Sequence, residues 1–232
     1  MAVEHDIVRD RVLPRAMSLA VHELRTPVTV VSGYLRMLLR EQAGPLTEKQ
    51  KKMLEEADRS CGRLGSLVAE MSEFGKLEGG DVSFARQAFD LSGLVVELAS
   101  GLHDAEDRGV QLEARASTSV TVTGDRVRIA AAIKALMQSA LRERVEPGVV
   151  VARCTIGTGT PAWGVLAIGD ETALDELERG AVASRSEFDE WRGGLGLALP
   201  VARRIIEAHG GAVWAGNGAH ARATSALRLP LT

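Results

Sequence analysis

A chain of 232 residues with 45% hydrophobic residues is long enough for one large domain or two small ones and apolar enough to bury a core, which excludes a disordered segment. A net charge of −3 and a pI near 6.0 supply no concentrated Lys and Arg, which argues against nucleic acid as a partner. No apolar run reaches about 18 residues and the N-terminus does not read as a signal peptide, so a cytoplasmic chain with no membrane span is expected.

From Leu13 the apolar positions Met17, Ala20, Leu24, Val28, Val31, Leu35 and Leu38 step by three and four, the seam of a long bundle helix. His22 falls off that seam, within the string His-Glu-Leu-Arg-Thr-Pro at 22–27. A neutral imidazole is nucleophilic at physiological pH, and one set off the apolar stripe can meet a phosphoryl group. Glu23 beside it can take the imidazole proton as a general base, and Thr26, one turn away, offers a hydroxyl to orient a water. Pro27 has no N–H and clashes with the carbonyl of Glu23, which bends the helix beside the acceptor. The string, with Ser18, Leu19 and Val21 before it and Val28, Gly33, Tyr34 and Leu35 after it, resembles the phosphoacceptor H-box of sensor histidine kinases. The resemblance implies that His22 is the phosphoacceptor, that Glu23 serves phosphotransfer, and that Glu23 with Thr26 serves a phosphatase activity.

Further along, Gln42 to Thr47 supply a turn, with Thr47 as N-cap and Gln50 three residues on, the spacing of a capping box. A second seam runs Leu54, Ala57, Cys61, Leu64, Val68, Met71 and Phe74. Two such helices form an antiparallel hairpin whose stripes cannot enclose a core alone, so a homodimeric four-helix bundle is expected. Gly79 and Gly80 mark a boundary, giving a dimerisation and phosphotransfer domain at 1–80 and a second domain at 81–232.

Beyond the boundary the elements are shorter and mixed. Strands are predicted at Val82–Phe89, Gln111–Val122, Val149–Ile156, Trp163–Ile168, Ala212–Ala215 and Ala223–Leu229, and helices at Leu91–Leu102, Arg126–Leu141 and from the glycines at 193–196 to Ala208. The fold class is therefore α+β, a helical hairpin followed by an α/β sandwich. Cys61 and Cys154 fall in different domains, so buried thiols are expected rather than a disulfide.

The stretch Gly193-Gly194-Leu195-Gly196-Leu197, with the helix after it and His209-Gly210-Gly211, resembles the glycine box of the histidine kinase ATP-binding (Bergerat) domain. Glycines at a helix N-terminus let backbone N–H groups approach a phosphate. By the same resemblance Asp170 accepts the adenine amino group, Arg142 stands for a phosphate-facing Lys, and Ser139 stands where the family places a Mg²⁺-holding Asn. ATP and Mg²⁺ are the implied cofactors, and a response-regulator receiver domain the implied partner. Several positions depart from the family: both asparagines around 135–139 are missing, the two glycines after Asp170 are replaced by Thr172 and Leu174, and Arg192 replaces a glycine. Two readings therefore stand. One is a kinase that phosphorylates His22 from ATP; the alternative is a phosphotransferase or pseudokinase whose degenerate second domain does not bind ATP and docks a regulator.

Overall fold

The computed structural model describes residues 2–103, 105–116, 118–157, 161–180, 187–191, 194–216 and 221–232. It divides into two compact units, Met1–Val82 and Ser83–Thr232.

The first unit is a hairpin of α1 (Ala2–Leu39) and α2 (Glu48–Gly79). The capping box forms as the sequence predicts: Thr47 Oγ1 accepts from Gln50 N at 3.3 Å, and Gln50 Oε1 accepts from Thr47 N at 2.9 Å. Such a cap contributes about 1 kcal/mol. At the other end Gly80 closes α2 in the left-handed conformation, φ 71°, which glycine adopts without penalty. Between the helices Cys61, Val68 and Phe74 are buried, and Ser32 Oγ lies 3.2 Å from Cys61 Sγ. The expected seam of α1 is only partly the buried one. Val21 is 4% exposed, whereas Leu24 and Val31 are 44% and 49% exposed. A bundle helix faces two neighbours, and one hairpin supplies only one of them.

In the second unit, β2 (Val110–Ala116), β4 (Gly148–Gly157), β5 (Trp163–Gly169), β7 (Ser225–Pro230) and β6 (Ala212–Trp214) form one sheet in the order β2-β4-β5-β7-β6. The β2–β4 pair is parallel and the other pairs antiparallel. A separate ribbon pairs β1 (Gln87–Asp90) with β3 (Thr121–Gly124). The helices α3 (Leu91–Ser100), α4 (Arg126–Glu143) and α6 (Ala198–Ala208) pack on the sheet and on one another. On one sheet face Val151, Val165, Ala167 and Ala226 cluster with Trp214 and with Leu174 and Leu177 of α5 (Glu171–Arg179). Trp214 Nε1 donates to Leu177 O at 2.9 Å, and Gly180 leaves the indole its room, since a Cβ there would lie 2.6 Å from Nε1. Burial on both faces explains why these strands read as continuous apolar runs.

Three differences from the sequence reading have physical causes. The expected strand at 82–89 is a strand only from Gln87, because Ala85 N and the Arg86 side chain bond to Asp125 and Ala208 instead of to a neighbouring strand. The alternation at 111–122 is two strands in two different sheets. No helix is predicted after Asp170, yet α5 begins at Glu171, its first turn free of the glycines the family places there. Both cysteines are buried and free, and burial pushes the Cys154 thiol up to about 11, which makes it inert at neutral pH. Among the described residues no helix is long and apolar enough to cross a membrane.

Candidate functional site

In the first unit the hexapeptide lies within α1, and its histidine points outward. The His22 side chain is 80% exposed, and its Nδ1 lies 3.4 Å from Glu23 Oε1, with Glu23 itself solvent-facing. A proton on Nδ1 facing that carboxylate leaves the Nε2 lone pair directed to solvent. Thr26 is exposed on the next turn. Pro27 removes the donor that would bond the Glu23 carbonyl, and two residues on Thr29 Oγ1 donates to Arg25 O at 2.8 Å, a back-bond of the kind that bends helices.

In the second unit the residues implied by resemblance come from the end of α4, the end of β5 and the turn before α6. Asp170 follows β5 directly and sits at the N-cap position of α5, yet makes no capping bond. Its carboxylate instead pairs with Arg144, whose Nε also donates to Glu146 O at 3.0 Å. Asp170 and Arg144 line a cavity of about 350 Å³ together with Glu143, Glu146, Arg222 and Ala223. Thr224, buried beside it, accepts from Gly216 N at 3.2 Å through Oγ1. Gly169 gives Thr224 its space, because a Cβ there would lie 2.8 Å from Thr224 Cγ2.

The turn before α6 contains Gly194, Leu195, Gly196 and Leu197, with φ of 98° at Gly194 and 60° at Gly196, values that favour glycine. Gly193 lies outside the described residues. Arg142, from the last turn of α4, donates to Gly194 O, and a Cβ at Gly194 would overlap its guanidinium. A positive charge thus stands at the start of a helix whose N-terminal amides already favour an anion. Ser139 is fully buried, and its Oγ has no hydrogen-bond partner among the described residues.

Arg144 is the site residue that sequence reasoning missed. It follows a helix end and precedes Val145 and Glu146, and no local pattern there signals a partner 26 residues on. Arg108 also escaped notice: it donates to Leu141 O at 2.7 Å and to Arg144 O at 2.9 Å, closing the end of the helix that presents Arg142.

An exposed histidine beside a carboxylate lies on the helical hairpin, and a glycine turn opens a helix of the α/β sandwich that follows it in sequence. Residues 15–80 match the His Kinase A (phospho-acceptor) domain. The chain is 28% identical over 229 residues to the sensor protein FixL of Bradyrhizobium diazoefficiens, covering 92% of this chain and 42% of that protein. It is 28% identical over 209 residues to the signal transduction histidine-protein kinase BarA of Escherichia coli, covering 82% of this chain and 22% of BarA. The chain therefore spans less than half the length of these curated relatives. Among solved structures, full-length ShkA in complex with AMPPNP superposes with a TM-score of 0.71 at 21% identity, covering 94% of this chain and 46% of ShkA. The Acinetobacter baumannii histidine kinase AdeS superposes at 0.60 with 22% identity, covering 91% of this chain and 98% of that one. These likenesses establish the fold. With the phosphoacceptor match over residues 15–80 and the sequence relatives, they make the chain similar to the catalytic cores of sensor histidine kinases.

Proposed function

We propose that the second unit binds ATP and transfers its terminal phosphoryl group to His22, which passes it to an aspartate of a response-regulator receiver domain. The observation that carries this reading is the outward Nε2 of His22 beside Glu23 on a matched phosphoacceptor domain. In the first step Nε2 bonds to the terminal phosphorus, the bond from that phosphorus to the bridging oxygen breaks, and ADP leaves. The Nδ1 proton passes to Glu23, which prevents a positively charged phosphoimidazolium from accumulating. Transfer of this kind rests on positioning and charge neutralisation.

In the second unit, Asp170 has carboxylate lone pairs beyond the one engaged by Arg144, and these suit the adenine amino group. Gly194, Leu195, Gly196 and Leu197 form a glycine turn whose amides, with Arg142, suit the phosphates; Gly193, read into the same turn from sequence, lies outside the described residues. Ser139 is a poor fit for Mg²⁺, being neutral and sealed from solvent, and among the described residues no group of three or more His, Cys, Asp and Glu is placed to hold a metal ion. Charge neutralisation by the protein therefore falls to Arg142 and the backbone amides. Residues 1–80 act as the dimerising phosphotransfer domain and 81–232 as the catalytic domain, and with ATP as donor the reaction belongs in the cytoplasm.

Two outcomes test the assignments. Asp170→Asn should weaken ATP binding about ten- to a hundredfold, the loss expected for a hydrogen bond to a charged group, when titrated by calorimetry; unchanged affinity would remove Asp170 from the base pocket. Thr26→Ala should slow dephosphorylation of the partner regulator on the order of tenfold while His22 still accepts phosphate. Equal loss of both activities would refute a separate role for Thr26.

A further inference from the structure

His209 follows α6, on the opposite end of that helix from the glycine turn, and it is 3% exposed. Both ring nitrogens are committed: Nδ1 donates to Ile205 O at 2.7 Å, and Nε2 accepts from the backbone N–H of Asp125 at 3.1 Å. This pattern fits only the neutral ring with its proton on Nδ1. The Phe84 ring packs against the imidazole edge-on, centroids 4.6 Å apart at 69°. Asp125 then links the same point to the segment that opens the second unit, since its Oδ2 accepts from Ala85 N at 3.2 Å. Arg86 completes the attachment by donating to Ala208 O at 2.8 Å. One histidine therefore organises the contacts of three successive residues where the chain enters the second unit.

We propose that His209, Asp125 and Phe84 form an acid-labile clip that fixes the segment Phe84–Arg86 to the second unit and releases it when His209 is protonated. A second proton on the ring would set an N–H at Nε2 against the Asp125 N–H, turning an accepted bond into a donor–donor clash. The charged groups facing the ring are Arg86 from the segment and Asp125 and Arg128 from the start of α4. The two guanidiniums lie 5.8 and 5.5 Å from the Phe84 ring centroid, so a new positive charge arises next to two existing ones. Burial above all, and then Arg86 and Arg128, hold His209 below its ordinary value of 6.5, against the opposing pull of the Ile205 carbonyl and Asp125. A depressed histidine leaves the native contacts intact above the unfolded value. The stability they contribute is lost as pH falls below 6.5 toward the folded value. Release would free the segment Phe84–Arg86 from the second unit under acid conditions.

Hydrogen exchange of the Ala85 amide in the full chain, corrected for intrinsic rates, tests this between about pH 7.5 and about pH 5. The clip predicts that protection of Ala85 falls on the order of tenfold or more on acidification, while amides of Val165–Ile168 in the sheet keep theirs. His209→Gln, whose side-chain oxygen can still accept from Asp125, should hold Ala85 protected at both pH values. Protection of Ala85 that is independent of pH in the unsubstituted chain, or lost together with that of the sheet, would overturn the proposal. Should the Gln variant fail to fold, Phe84→Leu reads the same clip with the histidine in place. It should expose Ala85 already at neutral pH, and undiminished protection there would count against the clip.

Discussion

Replacing His22 with Gln should reduce phosphoryl incorporation from ATP to background without unfolding the chain. The side chain is 80% exposed and its polar partner among the described residues is its neighbour Glu23, so its removal should leave the packing of the hairpin untouched. Gln keeps the size and polarity of the residue but has no nucleophilic nitrogen lone pair, so no covalent phosphoryl adduct can form there. Circular dichroism and ATP affinity should match the unsubstituted protein, because the proposed nucleotide residues lie in the separate second unit. Retained incorporation in this variant would place the acceptor elsewhere.

The second large effect concerns assembly. Leu24 and Val31, two turns apart on α1, and Leu64 and Leu67, one turn apart on α2, all remain exposed in the single hairpin. A second copy covering them would form the four-helix bundle expected of a phosphoacceptor domain. Leu24→Glu with Val31→Glu should convert that dimer to a monomer. Burial of each such side chain contributes about 1.5 kcal/mol or more, and each substitution occurs twice per dimer, so the dimer should weaken on the order of a thousandfold or more. Sedimentation or light scattering at micromolar concentration reads the change. A monomer before substitution, or a dimer indifferent to it, would refute the bundle.

The parts of this chain that sequence revealed are those whose chemistry is local. His22, Glu23, Thr26 and Pro27 are adjacent, and the Thr47–Gln50 box spans three residues, so both could be read from spacing alone. The inner strands β5 and β7 were legible because their near-complete burial leaves largely apolar runs. The rest depends on contacts between distant segments. Whether Val21 or Leu24 turns inward depends on the partner helix, and both fit a helical stripe. The Asp170–Arg144 pair and the bond from Arg142 to Gly194 join residues 26 and 52 positions apart, and neither partner carries a local mark of the other. His209 reads as a turn residue beside two glycines, and only the fold brings Phe84 and Asp125 to its ring.

The departures around 135–139 and 170–174 leave the source of the phosphate as the point on which the account turns. The direct test is to incubate the purified chain with γ-labelled ATP and to locate the label by mass spectrometry of the peptide containing residue 22. An acid-labile, base-stable phosphoryl group should form on His22 without any other protein and be diminished by Asp170→Asn. Label that reaches His22 only from a phosphorylated receiver domain, with no ATP bound by the second unit, would contradict this.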